Sequence, residues 1–190
     1  MQRLKKIEYF FIWSLYYCMI KNMQFQIIDK NDEHFEIYVK EEANTVWIEA
    51  FGNEYSEGGC PGDSVVIGRI DSKPVCAAII KFDDDKKLAL VSCMGSNPQK
   101  CGYGSSLIRH IVDHLKTSNI IKTYVKIDKD DKADRLEKFY SNFGFAKDEV
   151  DVLFILLDYD IDVEFVMSCD LNLDLDLDLN LNLNNLQIVS

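Results

Sequence analysis

The chain has 190 residues, enough for one domain with a sizeable hydrophobic core. Hydrophobic residues make up 47% of it, which excludes a wholly disordered chain, and the 9 glycines and 3 prolines are too few for collagen-like or proline-rich architectures. A formal net charge of −11 argues against a nucleic-acid binder, which would need lysine and arginine contacts to phosphate, and fits a cationic partner.

Residues 1–22 read as an apolar amino-terminal extension, in which a basic start precedes an uncharged, aromatic-rich stretch from Tyr9 to Ile20. This stretch is shorter than the roughly 20 apolar residues that cross a bilayer, and no small-residue cleavage site follows it. One interpretation is a helix that lies on a membrane surface. We favour an additional helix, or a chain whose natural start is Met23.

Residues 23–164 are predicted to form one α/β domain, because short apolar strands alternate with segments of helical periodicity. Three consecutive strands separated by short turns indicate an antiparallel meander. The predicted elements are a strand at 25–29, a helix at 35–51, strands at 64–70, 75–82 and 88–94, a helix marked by Leu107 to Leu115, a strand at 120–127, a helix at 132–143 and a strand at 150–157.

Residues 165–190 read as a low-complexity tail. From Leu171 to Leu183, leucine occupies every odd position, with aspartate or asparagine between. Such alternation is typical of a half-buried strand, but so uniform a repeat has nothing to set its register. We assign no chemistry to it.

The six cysteines include no C-x-x-C pair, and several lie within apolar runs. Free cysteines of this kind behave as small hydrophobic residues, so we expect a reducing, cytoplasmic setting and no disulfide framework.

His110 and His114 have the i, i+4 spacing of metal ligands, but Ile111 stands where a zincin would have glutamate, and no third ligand is evident. We therefore expect no metal site.

A glycine-bearing loop, Gln99–Gly104 (QKCGYG), lies between the third meander strand and the following helix. Glycines leave the backbone open to a ligand, and the first turn of a helix attracts anions through its N–H groups and dipole. The loop is therefore a plausible pyrophosphate cradle. Leu107 replaces the third glycine of a dinucleotide fingerprint, and Ser105 replaces the lysine of a P-loop, so both of those nucleotide motifs fail.

The same loop matches the Q/R-x-x-G-x-G signature of the GNAT superfamily of N-acetyltransferases. Downstream, Phe139–Phe145 (FYSNFGF) resembles the F/Y-Y-x-x-x-G-F segment of that family, and the resemblance covers residues 25–157. It implies an α/β (α+β) fold with a mixed, mostly antiparallel sheet flanked by helices. It also implies a splayed central strand pair that binds acetyl-CoA.

By this resemblance, Cys93 and Met94 lie on the strand that pairs with the pantetheine arm, the backbone from Cys101 to Ser105 holds the pyrophosphate, and Lys100 helps to neutralise it. The family's proline, three positions before the Gln/Arg, is Ser96 here. The cofactor-binding residues implied are Cys93, Met94, Gln99, Lys100, Cys101, Gly102, Tyr103, Gly104 and Ser105.

The resemblance also implies that Tyr140 is the acid that protonates the departing thiolate. Relatives often carry a glutamate base on the strand equivalent to Leu88–Met94, which has no acidic residue here. Glu49, Glu54 and Glu57 remain open as bases, and Tyr55 is placed to shape the acceptor pocket.

The implied function is transfer of the acetyl group of acetyl-CoA to a primary amine by direct attack in a ternary complex. The acceptor remains open among a small polyamine-like molecule, a lysine side chain and a protein amino terminus, as does the oligomeric state. The alternative is a catalytically inactive acyl-CoA-binding module for sensing or scaffolding. We expect neither a nucleic-acid nor a membrane partner.

Overall fold

A computed structural model of the chain describes residues 22–52, 62–83, 85, 87–128, 132–148 and 163–171. The predicted features outside these ranges are the extension up to residue 21, the strand at 150–157, the repeat beyond Leu171, and Glu54, Tyr55 and Glu57.

The described strands form a single sheet of seven. They are β1 (Gln24–Asp29), β2 (Ser64–Ile70), β3 (Lys73–Phe82), β4 (Leu88–Ser96), β5 (Lys122–Asp128), β6 (Ala146–Asp148) and β7 (Val163–Asp170). Their order is β1-β2-β3-β4-β5-β7-β6. β1 and β2, β2 and β3, β5 and β7, and β6 and β7 pair antiparallel, whereas β4 and β5 are parallel. The predicted mixed, mostly antiparallel sheet is confirmed.

The helices also lie where the apolar periodicity predicts them. They are α1 (Phe35–Ile37), α2 (Asn44–Phe51), α3 (Tyr103–Thr117) and α4 (Ala133–Ser141), and a π-helical segment, Tyr38–Ala43, joins α1 to α2. The predicted helix at 35–51 is therefore helical throughout. No helix among the described residues is long and apolar enough to cross a membrane.

The parallel ladder between β4 and β5 is short. Over the described part of both strands, it joins Leu88–Val91 to Lys122–Val125 and stops there, although β4 continues to Ser96 and β5 to Asp128. This is the pattern expected of a splayed central strand pair.

β7 crosses the boundary that the sequence suggested at residue 164 between domain and tail. It pairs with β5 from Val163 to Asp170, and Val166 and Met167 are buried. Residues 165–170 therefore belong to the sheet. Val166, Met167 and Cys169 are buried within the sheet, so the predicted tail starts too early at residue 165.

The chain divides into two compact units, one of residues Met1–Ile80 and Cys93–His110, the other of Lys81–Ser92 and Ile111–Ser190. In the first unit, α1, the π-helical segment and α2 share a core with β1, β2 and β3. This core buries Ile28, Phe35, Ala43, Val46, Trp47, Val65, Ile67, Ala77 and Ile79.

An ion pair fastens the π-helical segment of the first unit to the sheet. Arg69 Nε donates to Glu42 Oε2 at 2.5 Å, and Arg69 Nη1 donates to Gln26 Oε1 at 2.9 Å. A shift in register between Gly68 and Arg69 accompanies this contact. β2 thereby holds both the neighbouring strand β1 and the helical layer through one side chain.

In the second unit, the strands β5, β7 and β6 carry a charged network. Lys122 Nζ lies 2.7 Å from Asp148 Oδ2 and 3.7 Å from Asp170 Oδ1. Ser168 Oγ donates to Asp148 Oδ2 at 2.6 Å. The network links side chains of all three strands, so it fixes the short strand β6 at the edge of the sheet.

Candidate functional site

The end of β4 leads directly into the glycine loop, defined here as Asn97–Gly102. The backbone N–H of Asn97 donates to Val75 O at 2.9 Å, which ties the start of the loop to β3. Two residues before the loop, Gly95 is buried under two aromatic rings of α2. A Cβ at Gly95 would lie 2.8 Å from Trp47 Cδ1 and 3.0 Å from Phe51 Cε2, so a side chain there would clash with these rings.

Two side chains of the glycine loop hold the carboxyl-terminal turn of α2. Asn97 Nδ2 donates to Glu49 Oε2 at 2.7 Å, and Gln99 Nε2 donates to Ala50 O at 3.1 Å. The helix ends at Phe51, and Gly52, which follows it, has a left-handed φ of 78°. The loop is therefore anchored on α2 as well as on β3.

Two residues of the loop have the left-handed backbone conformation that is typical of anion-binding turns. Lys100 and Gly102 have φ values of 64° and 74°, and such left-handed residues in a turn make successive N–H groups converge on a concave surface. Ser106 N–H makes the first bond within α3, to Gly102 O. The N–H groups of Tyr103, Gly104 and Ser105 precede that bond and lie at the positive end of a helix of 15 residues. These donors fit a pyrophosphate.

The side chains of Cys101 and Tyr103 lie in the core. Their exposed fractions are 8% and 4%, and the Cys101 thiol donates to Gln99 O at 3.5 Å. Burial raises the pKa of the Tyr103 phenol, and the neighbouring thiols of Cys101 and Cys76 raise it further. The side chains of both residues are therefore part of the core at the start of α3.

The other predicted cofactor residues are accessible. Gln99 and Lys100 are exposed, and Gly102, Gly104 and Ser105 are half-buried around the start of α3. Cys93 and Met94 are half-buried near the end of β4, where Cys93 packs against the core under α2. All nine predicted cofactor residues thus lie on one continuous strand, loop and helix start of the first unit.

Tyr140 belongs to the second unit and lies on α4. It is 7% exposed, and its ring lies 5.0 Å from the ring of Phe139 and 5.7 Å from that of Phe145. Phe143 N–H donates to Tyr140 O at 2.9 Å in the turn that ends the helix. The predicted segment Phe139–Phe145 therefore forms the end of α4 and the turn after it, with its aromatic rings packed against one another.

Of the open candidates for a base, Glu49 is the one in the described ranges. It is exposed, and Asn97 occupies one of its carboxylate oxygens.

The histidines considered as metal ligands have packing partners. The His110 ring stacks on Phe25 at 4.3 Å, and His114 Nε2 lies 3.4 Å from Ser118 Oγ. Among the described residues, no group of three potential ligands could hold a metal ion.

No protein-family model and no curated protein matches the chain. Solved structures do match it. An acetyltransferase of the GNAT family from Staphylococcus aureus Mu50 has a TM-score of 0.56 at 16% identity, over 78% of this chain and 99% of that one. The ribosomal-protein-S18-alanine N-acetyltransferase of Escherichia coli has a TM-score of 0.54 at 15% identity, over 78% and 94%. The chain has the GNAT fold. PaiA N-acetyltransferase from Thermoplasma acidophilum, solved with coenzyme A, has a TM-score of 0.50 at 14% identity, over 77% and 99%.

The sequence missed Asn97, which none of the motifs includes. Its partner Glu49 is 48 residues away, and a contact at that separation depends on how α2 lies against β4. The residue types did carry one signal. A polar side chain next to a proline in a glycine-bearing loop is typical of side-chain bonds that fix a turn.

Proposed function

We propose that the chain is an acetyl-CoA-dependent N-acetyltransferase that acts on a primary amine. The observation that carries this proposal is the cradle of backbone N–H groups at the start of α3, preceded by a glycine loop with left-handed residues at Lys100 and Gly102. The GNAT fold supports it, because the cradle stands at the position where the Q/R-x-x-G-x-G signature occurs in the sequence.

Acetyl-CoA would be held by its phosphates and its pantetheine arm. The N–H groups from Cys101 to Ser105 would take the pyrophosphate, with the exposed ammonium of Lys100 beside it. The backbone of Cys93 and Met94, past the end of the β4–β5 ladder, would pair with the amides of the arm. Bound there, acetyl-CoA supplies an acetyl thioester as the electrophile.

The reaction forms a bond between the amine nitrogen and the acetyl carbon and breaks the bond between that carbon and sulfur. The acceptor must lose a proton first, because an alkylammonium with a pKa near 10.4 has no lone pair to attack with at neutral pH. The candidates for the proton acceptor, directly or through a water, are Glu49, which is exposed at the end of α2, Glu54 and Glu57. Tyr140 would give the departing thiolate a proton, since a phenol is a hydrogen-bond donor.

The acceptor class follows from charge. The chain carries 32 acidic against 21 basic residues, which favours a cationic amine through long-range attraction. Small polyamine-like molecules, lysine side chains and protein amino termini share that chemistry. The buried free thiols of Cys76, Cys101 and Cys169 favour a reducing compartment such as the cytoplasm.

The test is thermal unfolding of the full chain with acetyl-CoA, and with NAD as a control nucleotide. A ligand at 100 times its Kd adds about 2.7 kcal/mol to the free energy of unfolding, which shifts Tm by several degrees. We expect a shift with acetyl-CoA and none with NAD. Equal behaviour with both would contradict the proposal.

A second measurement separates the enzyme from the alternative of a binding module. Release of free coenzyme A thiol is followed with a panel of amines: spermidine, a lysine-containing peptide and a peptide with a free amino terminus. Amine-dependent release is expected for the enzyme. Binding of acetyl-CoA with no release above hydrolysis for any amine would favour the module.

A further inference from the structure

We propose that Asn97 and Gln99 are positioning residues, which couple occupancy of the glycine loop to the carboxyl-terminal turn of α2. The inference rests on the proposed function, since it takes acetyl-CoA as the ligand of the loop. Both side chains bond to α2 in the structure. Both act through the helix that they hold.

The coupling has a definite geometry. Asn97 Nδ2 donates to Glu49 Oε2 at 2.7 Å and Gln99 Nε2 donates to Ala50 O at 3.1 Å. Two alternate residues of the loop thus hold two consecutive residues of the helix. One bond alone would leave the loop free to pivot about it, whereas two fix its distance and its orientation together.

The Gln99 bond also completes the end of α2. The last carbonyls of a helix receive no N–H donor from within the helix. Ala50 O is one of them, because the helix ends at Phe51. Gly52 N–H satisfies Ile48 O at 2.8 Å, and the Gln99 amide satisfies Ala50 O. When the loop moves away, this carbonyl loses its protein donor, so the helix end and the loop are stable together.

The consequence for binding follows from chain order. The N–H groups proposed to hold the pyrophosphate begin at Cys101, two residues after Gln99, so a fixed Gln99 aligns them before any ligand arrives. Preorganisation of this kind raises affinity, because the ligand no longer has to order the loop. By thermodynamic reciprocity, a ligand in the cradle must stabilise the end of α2 to the same extent. That turn carries Glu49 and the half-exposed ring of Phe51.

The test uses an exchange of donor and acceptor. Asn97→Asp places a second carboxylate beside that of Glu49, so the two repel and no donor remains. Adding Glu49→Gln restores the bond in reverse, with the amide at 49 as donor and the carboxylate at 97 as acceptor. Gln99→Ala removes the second bond. Gln24→Ala, at an exposed glutamine of β1, is the matched control. Two readouts are taken on the full chain: the Kd of acetyl-CoA by calorimetry, and amide hydrogen exchange of peptides covering residues 48–52 with and without coenzyme A.

We expect Kd to rise about 3- to 10-fold in Asn97→Asp and in Gln99→Ala, the range that one lost hydrogen bond represents. The double variant Asn97→Asp/Glu49→Gln should recover the wild-type Kd, and Gln24→Ala should keep it. In the wild type and in Gln24→Ala, coenzyme A should slow exchange at residues 48–52. In Gln99→Ala this slowing should be lost.

The outcomes separate the two proposals. Failure of the wild type to bind acetyl-CoA would overturn the proposed function, and this inference with it. Normal binding by the wild type together with unchanged Kd values in both single variants would overturn the coupling alone. A third outcome is that the double variant does not restore the Kd and that coenzyme A still slows exchange at residues 48–52 in Gln99→Ala. This would overturn the coupling and leave both residues with an ordinary structural role. If Asn97→Asp fails to fold, the exchange data on Gln99→Ala decide.

Discussion

Lys122 Nζ lies 2.7 Å from Asp148 Oδ2, and this ion pair reaches from β5 to β6 across the intervening strand β7. The Asp148 side chain is 11% exposed and that of Lys122 is 25% exposed. The hydrogen bond to Asp148 raises the pKa of Lys122, against the opposing effect of burial. An acid so nearly buried depends on its cation, because a carboxylate without a partner is poorly solvated there.

Lys122→Met should therefore destabilise the fold by about 2–4 kcal/mol, since it removes the cation that lies 2.7 Å from the Asp148 carboxylate. Urea unfolding measures this as a lower midpoint. The additional change Asp148→Asn should recover part of the loss, because the amide carries no charge to desolvate. Lys73→Met, at an exposed lysine of β3, is the matched control and should have little effect. Equal midpoints for Lys122→Met and Lys73→Met would contradict the role assigned to the pair.

A second prediction concerns alkaline pH and the buried thiol of Cys76. Burial raises its pKa from 9.0 to about 12, and its sulfur lies 3.9 Å from that of Met23. Above pH 9 the unfolded thiol ionises while the folded one keeps its proton. The stabilisation by this group is thus complete below pH 9 and is lost as pH rises towards 12.

Cys76→Ala removes this titration. Between pH 9 and 12, the free energy of unfolding of the wild type should fall more steeply than that of the variant, by up to about 1.4 kcal/mol per pH unit. Chemical unfolding at a series of pH values, under reducing conditions, compares the two slopes. Parallel pH profiles would show that Cys76 ionises equally in both states. Other groups titrate in both proteins and cancel in the difference.

The sequence predicts the strands β1 to β5 and the helices because their apolar periodicity is local, whereas it predicts no strand at β6 or β7. α3 illustrates this, since Leu107, Ile111 and Leu115 recur at i and i+4 and are fully buried. The motif Gln99–Gly104 was also predictable, because its two glycines and its place at the start of a helix are features of consecutive residues.

Contacts between distant residues could not be predicted in the same way. The bond from Asn97 to Glu49 and the pair of Lys122 and Asp148 depend on how elements lie in the sheet, which periodicity does not encode. β7 was misassigned for a different reason. Its apolar run borders a leucine repeat of similar composition, and no glycine or proline marks the junction.

A third prediction concerns Gly102 and uses two glycines with the same backbone conformation. Gly102 has φ 74° and Gly144 has φ 86°, so alanine at either position strains the chain, by about 1 kcal/mol. Gly102→Ala should in addition weaken acetyl-CoA binding, because it alters the N–H groups of the cradle. Gly144→Ala, in the turn after α4, should leave the Kd unchanged. Calorimetric titration of both variants, with their Tm values measured in parallel, tests this. Equal Kd values despite equal losses of Tm would contradict a cradle at Gly102.

The last prediction isolates the hydroxyl of Tyr140. Tyr140→Phe keeps the ring packed against Phe139 and Phe145 and removes only the group proposed to protonate the thiolate. We expect kcat to fall roughly 10²-fold or more, the effect typical of losing a general acid, while the Kd of acetyl-CoA stays the same. Tyr124→Phe is the matched control, since Tyr124 is also a buried tyrosine of the second unit and has no proposed role in the reaction. With an amine identified by coenzyme A release, steady-state kinetics of the two variants make the comparison. A loss confined to Tyr140→Phe assigns the proton to that phenol. Equal kcat values in the wild type and both variants would mean that the thiolate leaves without it and takes its proton from water.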